Sequence, residues 1–551
     1  MAEWQTSCPD WAARLRAGQS IIPPPIFPEE AEAGLAVMRE LRIVDAPGSP
    51  TISEACAPWV FDLAASIFGA YDAESGRRLI TEWFVCVPKK NSKSTIAAAI
   101  MLTALIRNWR ESAEFISLAP TLEIANNSYA PSRDMVKKDD DLDALMLVQT
   151  HLKTITHRGN GGSLKVVAAD NNTVGGKKAV GILIDEAWLF GKVPNAENML
   201  REATGGLASR PEGFVIWLTT QSDDPPAGVF RQKLQYARDV RDGKIIDPRF
   251  VPILYEFPDD MIAAGEHRKP DNFAMVNPNM GYSVDPEFLA REFQKAENDG
   301  EESMRGFLAK HLNVEIGLAL RSDRWAGADF WEIQARALSL EDILDRSEVV
   351  DIGIDGGGLD DLLGLAVVGR DRETREWMVW THAWAHPSVL ERRKAEASRF
   401  RDFEKDGDLT LVQRIGDDIV EVADIVSRCE SSGLLDKVGC DPAGLGGILD
   451  ALVEAEVPQD KIVGISQGWR LGGAIKTAER KLAEGGMVHG GQRLMNWCVG
   501  NARVEPRGNA ILITKQASGS AKIDPLMALF NAVSLMSMNP TACGRSFWET
   551  A

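Results

Sequence analysis

The stretch VCVPKKNSKSTIAAA, residues 85 to 99, sets a lysine, a serine and a threonine where a basic loop turns into an apolar run. In the phosphate-binding pattern G-x-x-x-x-G-K-[ST], backbone N–H groups cradle phosphates, the lysine reaches the β- and γ-phosphates and the hydroxyl ligates magnesium. Aligned on Lys93 and Ser94, both glycine positions are lost, to Val87 and Ser92. The same residues therefore also read as an ordinary basic helix start. A second motif, AVGILIDEAW, ends an apolar run in Asp185 and Glu186. A strand end that offers one carboxylate to a metal and one to a water is what ATP hydrolysis requires; the plainer alternative is an acidic pair opening a loop. FVIWLTTQSDD ends in Thr219, Thr220 and Gln221, polar groups that either sense a γ-phosphate or simply close a strand.

A second set of carboxylates lies further along. Asp355 ends the run VVDIGID, Asp360 and Asp361 open the next, Asp441 ends DKVGCD, and Asp524 precedes DPLMALFNAVSLMS. On neighbouring strands these aspartates would form an oxygen-rich site for two magnesium or manganese ions, which clamp the attacking and leaving oxygens of a phosphodiester when roughly 3.5–4 Å apart. Asp441-Pro442 and Asp524-Pro525 also read as helix starts, with aspartate as N-cap and proline in the first turn. A cap at a strand-to-helix turn is itself exposed at the sheet edge, so the two readings are compatible.

The elements that must hold these groups follow from periodicity. Residues 1–75 read as a helical cap, with EEAEAGLAVMRELRI at helical spacing between PPPIFP and APGSP. From 76 to 250 the runs WFVCV, EFISLA, AVGILI and FVIWLTT alternate with helical stretches, the signature of a parallel α/β sheet. Residues 251–325 read as a helical lid and linker, with Asp285 capping a helix that starts at Pro286. RSDRWAGADFWEIQARALSLEDILDRSE separates this region from a second α/β domain over 345–540, in which a three-strand meander precedes alternating helices and strands. Residues 541–551 form a tail.

The chain has 551 residues, enough for two or three domains, with 44% hydrophobic and 26% charged residues, which excludes disorder and fibrous repeats. A net charge of -19 excludes a protein that merely coats nucleic acid and leaves room only for a local basic channel. The seven scattered cysteines fit neither a disulfide framework nor a zinc site. No signal-like start and no long uncharged apolar run occurs, so a soluble cytoplasmic protein without membrane association is expected.

In their order, PKKNSKS, ILIDEAW, WLTTQSDD, NPNMG, GIDGGGLDD, GCDP and KIDPLMAL resemble the large terminase subunit of tailed bacteriophages, from about residue 58 to about residue 537. The resemblance implies a P-loop NTPase sheet with a helical cap and lid, followed by a ribonuclease H-like α/β nuclease. It implies an ATPase and metal-dependent endonuclease that moves double-stranded DNA into a procapsid and cuts the concatemer. ATP would be held by Lys89, Lys90, Asn91, Ser92, Lys93, Ser94 and Thr95, Mg²⁺ by Ser94 and Asp185, and the attacking water by Glu186. The nuclease metals, Mg²⁺ or Mn²⁺, would be held by Asp355, Asp361, Asp441 and Asp524. Implied partners are DNA, a portal protein, a small terminase subunit and further copies in a ring, in the host cytoplasm. The family's adenine-contacting glutamine is replaced by Val60, and Arg201 and Arg210 are candidates for an arginine acting on a neighbouring subunit. A helicase-like ATPase and a nucleotide-dead packaging scaffold are the alternatives. Ser92 is expected to be tolerated because the backbone there keeps φ negative.

Overall fold

In the computed structural model the described residues are 4–168, 179–193, 196–316, 325–358, 361–394, 396–441, 446–507, 510–514 and 522–543. The chain divides into two compact units, Met1–Ile316 and Gly317–Ala551.

The first unit is built on eight strands: β1 (Glu82–Cys86), β2 (Glu114–Ala119), β3 (Met146–Gln149), β4 (Thr154–His157), β5 (Ser163–Ala168), β6 (Ala179–Ile184), β7 (Phe214–Thr219) and β8 (Phe250–Leu254). Their order is β8-β1-β7-β6-β2-β5-β4-β3. All pairings from β8 to β5 are parallel, and β4 and β3 extend the edge antiparallel. Every residue of β6 and β7 is buried, as expected where helices cover both faces of a parallel sheet. Side chains alternate between those faces: Trp83 and Val85 join a core with α1 (Pro28–Glu40), α2 (Pro58–Phe68) and α3 (Lys93–Ile106), while Phe84 and Cys86 join one with α4 (Gly228–Arg241). Beyond β8 lie α5 (Pro286–Asp299) and α6 (Glu301–Leu312). Asp285 caps α5 as the sequence indicated, accepting the Glu287 N–H at 3.0 Å.

The second unit opens on the meander β9 (Ser347–Gly356), β10 (Leu363–Asp371) and β11 (Trp377–Ala385), antiparallel throughout. With β12 (Leu409–Leu411), β13 (Leu435–Cys440) and β14 (Ile462–Gly464) the order is β12-β11-β10-β9-β13-β14, and β13 and β14 are parallel additions beside β9. One face is covered by α7 (Asp417–Ser431) and α8 (Gly446–Glu454), the other by α9 (Gly472–Ala483) and α10 (Asp524–Met536). Trp325 and Trp331, from the stretch expected to separate the two regions, are fully buried in this unit's core. Their large apolar surface makes that stretch part of the fold, worth several kcal/mol of burial at about 25 cal/mol per Å².

α10 lies directly on the sheet because glycines clear its path. A Cβ at Gly353 would stand 1.9 Å from the Ala528 carbonyl oxygen, and one at Gly364 would stand 2.6 Å from the Pro525 nitrogen. No side chain fits at either position.

Candidate functional sites

The loop after β1 is the first site. Lys90 and Ser92 have φ of 73° and 54°, while Asn91 between them is not in the positive-φ region. Alternation of this kind turns successive N–H groups into a concave anion cradle, continued by the first turn of α3. The expectation of negative φ at Ser92 is overturned. Ser92 is left-handed, the conformation that the missing glycine would supply at no steric cost, and its side chain makes no capping hydrogen bond.

The cradle is held from behind. Asn91 is fully buried; it donates to the Asn277 Oδ1 at 2.8 Å and accepts from the Asn279 N–H at 3.0 Å. Ser283 donates to the Lys90 carbonyl at 2.6 Å, and the Lys89 N–H donates to the Lys310 carbonyl at 2.7 Å. The stretch NPNMGYS thus braces the loop through side-chain amides. Trp59 Nε1 donates to Asn279 Oδ1 at 2.7 Å, and its neighbour Val60 is fully buried.

Lys93 is buried and donates to the carbonyls of Val87 and Pro88 at 3.1 and 3.0 Å. Burial pulls its ammonium down to about 8, against the attraction of Glu186 and Asp185. Ser94 and Thr95 lie half-buried in the first turn of α3.

Asp185 follows β6, two strands away from β1 with β7 between. Burial, then the neighbouring Glu186, push its carboxyl up to about 7. Its Oδ1 accepts the Glu186 N–H at 2.9 Å, whereas Oδ2 is buried without a hydrogen-bond partner. An orphaned buried carboxylate oxygen beside a buried ammonium and an N–H cradle fits a magnesium-bound polyphosphate. Glu186 is itself left-handed, with φ 48° and ψ 51°, and its Oε2 accepts the Trp188 Nε1–H at 2.5 Å. Thr219, at the end of β7, accepts the Trp188 N–H on Oγ1 at 3.0 Å and the Val87 N–H on its carbonyl at 3.1 Å. Gln221 is buried, and its N–H donates to Asn313 Oδ1 at 3.1 Å. The structure therefore brings the loop, the acidic pair and the Thr219–Gln221 segment to one end of three adjacent parallel strands.

Arg201 and Arg210 do not join this group. Both line a cavity of about 750 Å³ together with Thr81, Glu82 and Arg249, residues at the opposite ends of β1 and β8.

Lys310 and Asn313 were not singled out from sequence; Asn91 was expected only as a phosphate-loop residue, and Asn277 and Asn279 only as part of NPNMG. Amide side chains in turns are common, so nothing in the sequence marks these as a brace.

The second site is the edge of the other sheet. Ile354 pairs with Cys440, so Asp355 and Asp441 each stand one residue beyond neighbouring strand positions. Asp355 also pairs with Gly364, against which Asp524 packs, its carbonyl carbon 2.7 Å from where a Gly364 Cβ would be. A Cβ at Gly356 would lie 3.3 Å from the Asp524 Cβ. Asp524 is not the helix cap that sequence suggested: it is the first residue of α10, Ile523 holds the cap position, and no side-chain cap bond forms. Asp361 sits in the β9–β10 connection, paired with the buried ammonium of Lys522 and accepting the Leu362 N–H at 3.0 Å. Asp360 and Pro442 lie outside the described residues. Among the described residues, no three acidic, histidine or cysteine side chains are gathered as a metal-holding group. Carboxylate oxygens are the donor type that a hard cation takes.

Known proteins resemble the chain over most of its length. The family model for the terminase large-subunit ATPase domain matches residues 58–239, and that for its endonuclease domain matches residues 250–539. The large terminase subunit of Enterobacteria phage HK97 is 21% identical over 497 residues, covering 87% of this chain and 91% of its own. Protein YmfN of Escherichia coli (strain K12) is 21% identical over 338 residues, covering 60% and 72%. The crystal structure of the HK97 large terminase covers 92% of this chain and 99% of its own at 18% identity, with a TM-score of 0.46. The endonuclease match begins at β8, which pairs with β1 inside the first unit, so its opening residues belong physically to the ATPase sheet. The chain belongs to the terminase large-subunit family, carrying its ATPase domain and its endonuclease domain.

Proposed function

We propose that residues 89–95 cradle the phosphates of ATP, that Lys93 neutralises the β- and γ-phosphates, and that Ser94 and Asp185 hold Mg²⁺. Glu186 then orients the attacking water. As a terminase large subunit the protein hydrolyses ATP and cleaves DNA in the course of packaging it. The observation that carries the ATP assignment is the convergence of Lys93, the orphaned Asp185 Oδ2 and Glu186 at one end of β1, β7 and β6. Magnesium, when bound, supplies charge neutralisation for the transferring phosphoryl group. The chain's own part is to hold the phosphate chain on backbone N–H groups, place the Lys93 ammonium against it and fix the Glu186 carboxylate on Trp188.

In the second unit we assign Asp355, Asp441 and Asp524 as the metal-holding carboxylates, with Asp361 beside them. Divalent ions, Mg²⁺ or Mn²⁺, supply Lewis acidity at the scissile phosphate. The portal, a small terminase subunit and a ring of copies in the host cytoplasm complete the proposed setting; no helix among the described residues is long and apolar enough to cross a membrane.

The test separates the two activities in the purified full chain. Lys93→Ala and Glu186→Ala should abolish DNA-stimulated ATP hydrolysis while Mn²⁺-dependent plasmid cutting persists. Asp355→Ala should do the reverse. ATPase activity that survives Lys93→Ala would refute the nucleotide assignment, and cutting that survives Asp355→Ala would refute the nuclease assignment.

A further inference from the structure

One lysine of the lid helix touches the phosphate loop, the segment after β7 and the Trp188 ring. Lys310, in α6, is 9% exposed. Its backbone carbonyl accepts the Lys89 N–H of the phosphate loop at 2.7 Å. Its Nζ donates to the Gln221 carbonyl just beyond β7 at 3.0 Å, stands 3.7 Å from Asp223 and lies 3.2 Å from the centre of the Trp188 ring. Trp188 is the residue whose Nε1–H holds Glu186 Oε2 at 2.5 Å, and whose backbone N–H is fixed by Thr219.

These contacts form a continuous path from the phosphate loop to the Glu186 carboxylate. An ammonium on an indole face is attracted by the negative quadrupole of the ring. It also draws electron density from the ring, which makes the N–H at the ring edge a stronger donor. A seated Lys310 therefore tightens the bond by which Trp188 fixes Glu186. Burial pulls the Lys310 ammonium down to about 8; the Asp223 and Glu186 carboxylates oppose this, and the Lys89 and Lys192 ammonium groups add to it.

We propose that Lys310 is a positioning residue for ATP hydrolysis, which couples the lid helix and the phosphate loop to the orientation of Glu186 through the Trp188 ring. The proposal rests on the reading of Glu186 as the water-orienting group. Binding of a phosphate chain in the cradle acts on the Lys89 N–H, hence on α6, hence on the seat of Lys310 over Trp188. Removal of the ammonium leaves nucleotide binding in place and loosens Glu186, so turnover falls while affinity holds.

The experiment is steady-state ATP hydrolysis by the full chain with duplex DNA, for Lys310→Ala, Lys310→Arg, Trp188→Phe, the double variant Lys310→Ala/Trp188→Phe, and Glu186→Gln. Misplacement of a catalytic group by about an ångström costs on the order of 10- to 100-fold in rate. Lys310→Ala and Trp188→Phe should each lower kcat by that order with KM changed less than about threefold. The double variant should be no worse than Trp188→Phe, because both act on one bond. Lys310→Arg, which keeps a cation on the ring, should recover most of the rate. A raised KM with unchanged kcat in Lys310→Ala overturns the proposal, as do losses that multiply in the double variant. If Lys310→Ala fails to fold, Trp188→Phe decides alone: it keeps an aromatic face but loses the pyrrole ring with its N–H, and a wild-type kcat overturns the path. Wild-type turnover in Glu186→Gln marks a different failure, that of the Glu186 assignment itself.

Discussion

Replacing Ser92 by glycine tests the phosphate loop at its most unusual point. Ser92 is held at φ 54° and ψ 25°, and a left-handed conformation costs a residue with a Cβ roughly 1–2 kcal/mol. Glycine removes that cost, while its extra freedom in the unfolded chain takes back about 0.4–1 kcal/mol. No capping bond is lost, since the Ser92 side chain makes none. The net effect is a gain between about 0 and 1.6 kcal/mol, a shift of at most a few degrees in melting temperature for a unit of this size. ATP hydrolysis should be retained or raised, because the N–H cradle is unchanged. Ser92→Val is the opposing perturbation: a β-branched residue at positive φ is a steric outlier, and it should lower both the melting temperature and kcat/KM. Thermal melting and steady-state ATPase of the three proteins check this together. A collapse of activity in Ser92→Gly, or a harmless Ser92→Val, would refute the left-handed loop.

Further outcomes follow from other parts of the fold. Glu256 is buried between Arg238 and Arg241, at 2.6 Å from each; burial alone would raise its pKa, but the two guanidinium groups hold it below the usual 4.5. A lowered folded pKa gives stability that is present above about 4.5 and lost as pH falls through the lowered value, so melting of the first unit should drop in acid. Glu256→Gln should cost about 1–3 kcal/mol at neutral pH, because Arg238 keeps Glu315 and Arg241 keeps Asp242, and the acid dependence of melting should flatten. Gly353→Ala places a Cβ 1.9 Å from a helix carbonyl and should destabilise the second unit by about 1–3 kcal/mol or more, seen as loss of DNA cutting at temperatures where ATPase activity persists. Asp441→Asn should abolish cutting and Mn²⁺ binding by calorimetry, while leaving ATP hydrolysis intact.

Strand-forming segments and the aspartates at their ends were legible because alternating burial and strand-to-helix turns leave a local pattern. WFVCV, EFISLA, AVGILI and FVIWLTT all became parallel strands. Position within a sheet leaves no such mark. That β7 separates β1 from β6 depends on pairings between residues far apart in the chain. Ser92 was misjudged for a related reason: a serine before Lys93 reads as a substitution that relaxes the glycine requirement, whereas the brace from Asn91, Asn277 and Asn279 enforces the glycine-like φ. Lys310 was invisible because its role depends on a ring, a carbonyl and a loop that converge only in the folded unit. Asp524 was recognised as a residue of interest, but its capping role was not observed, since the helix starts one residue earlier than a cap would allow.

The close seating of α10 on β9 and β10 has a consequence for the order of events during synthesis. Asp355 and Asp441 leave the ribosome well before Asp524, which reaches the same sheet edge only when α10 settles over Gly353 and Gly364. On the carboxylate assignment proposed here, a nascent or truncated chain that stops before Asp524 can hold a complete ATPase sheet yet has no finished cutting centre. On that assignment α10 acts as a built-in delay, the machinery for handling DNA being assembled before the means to sever it.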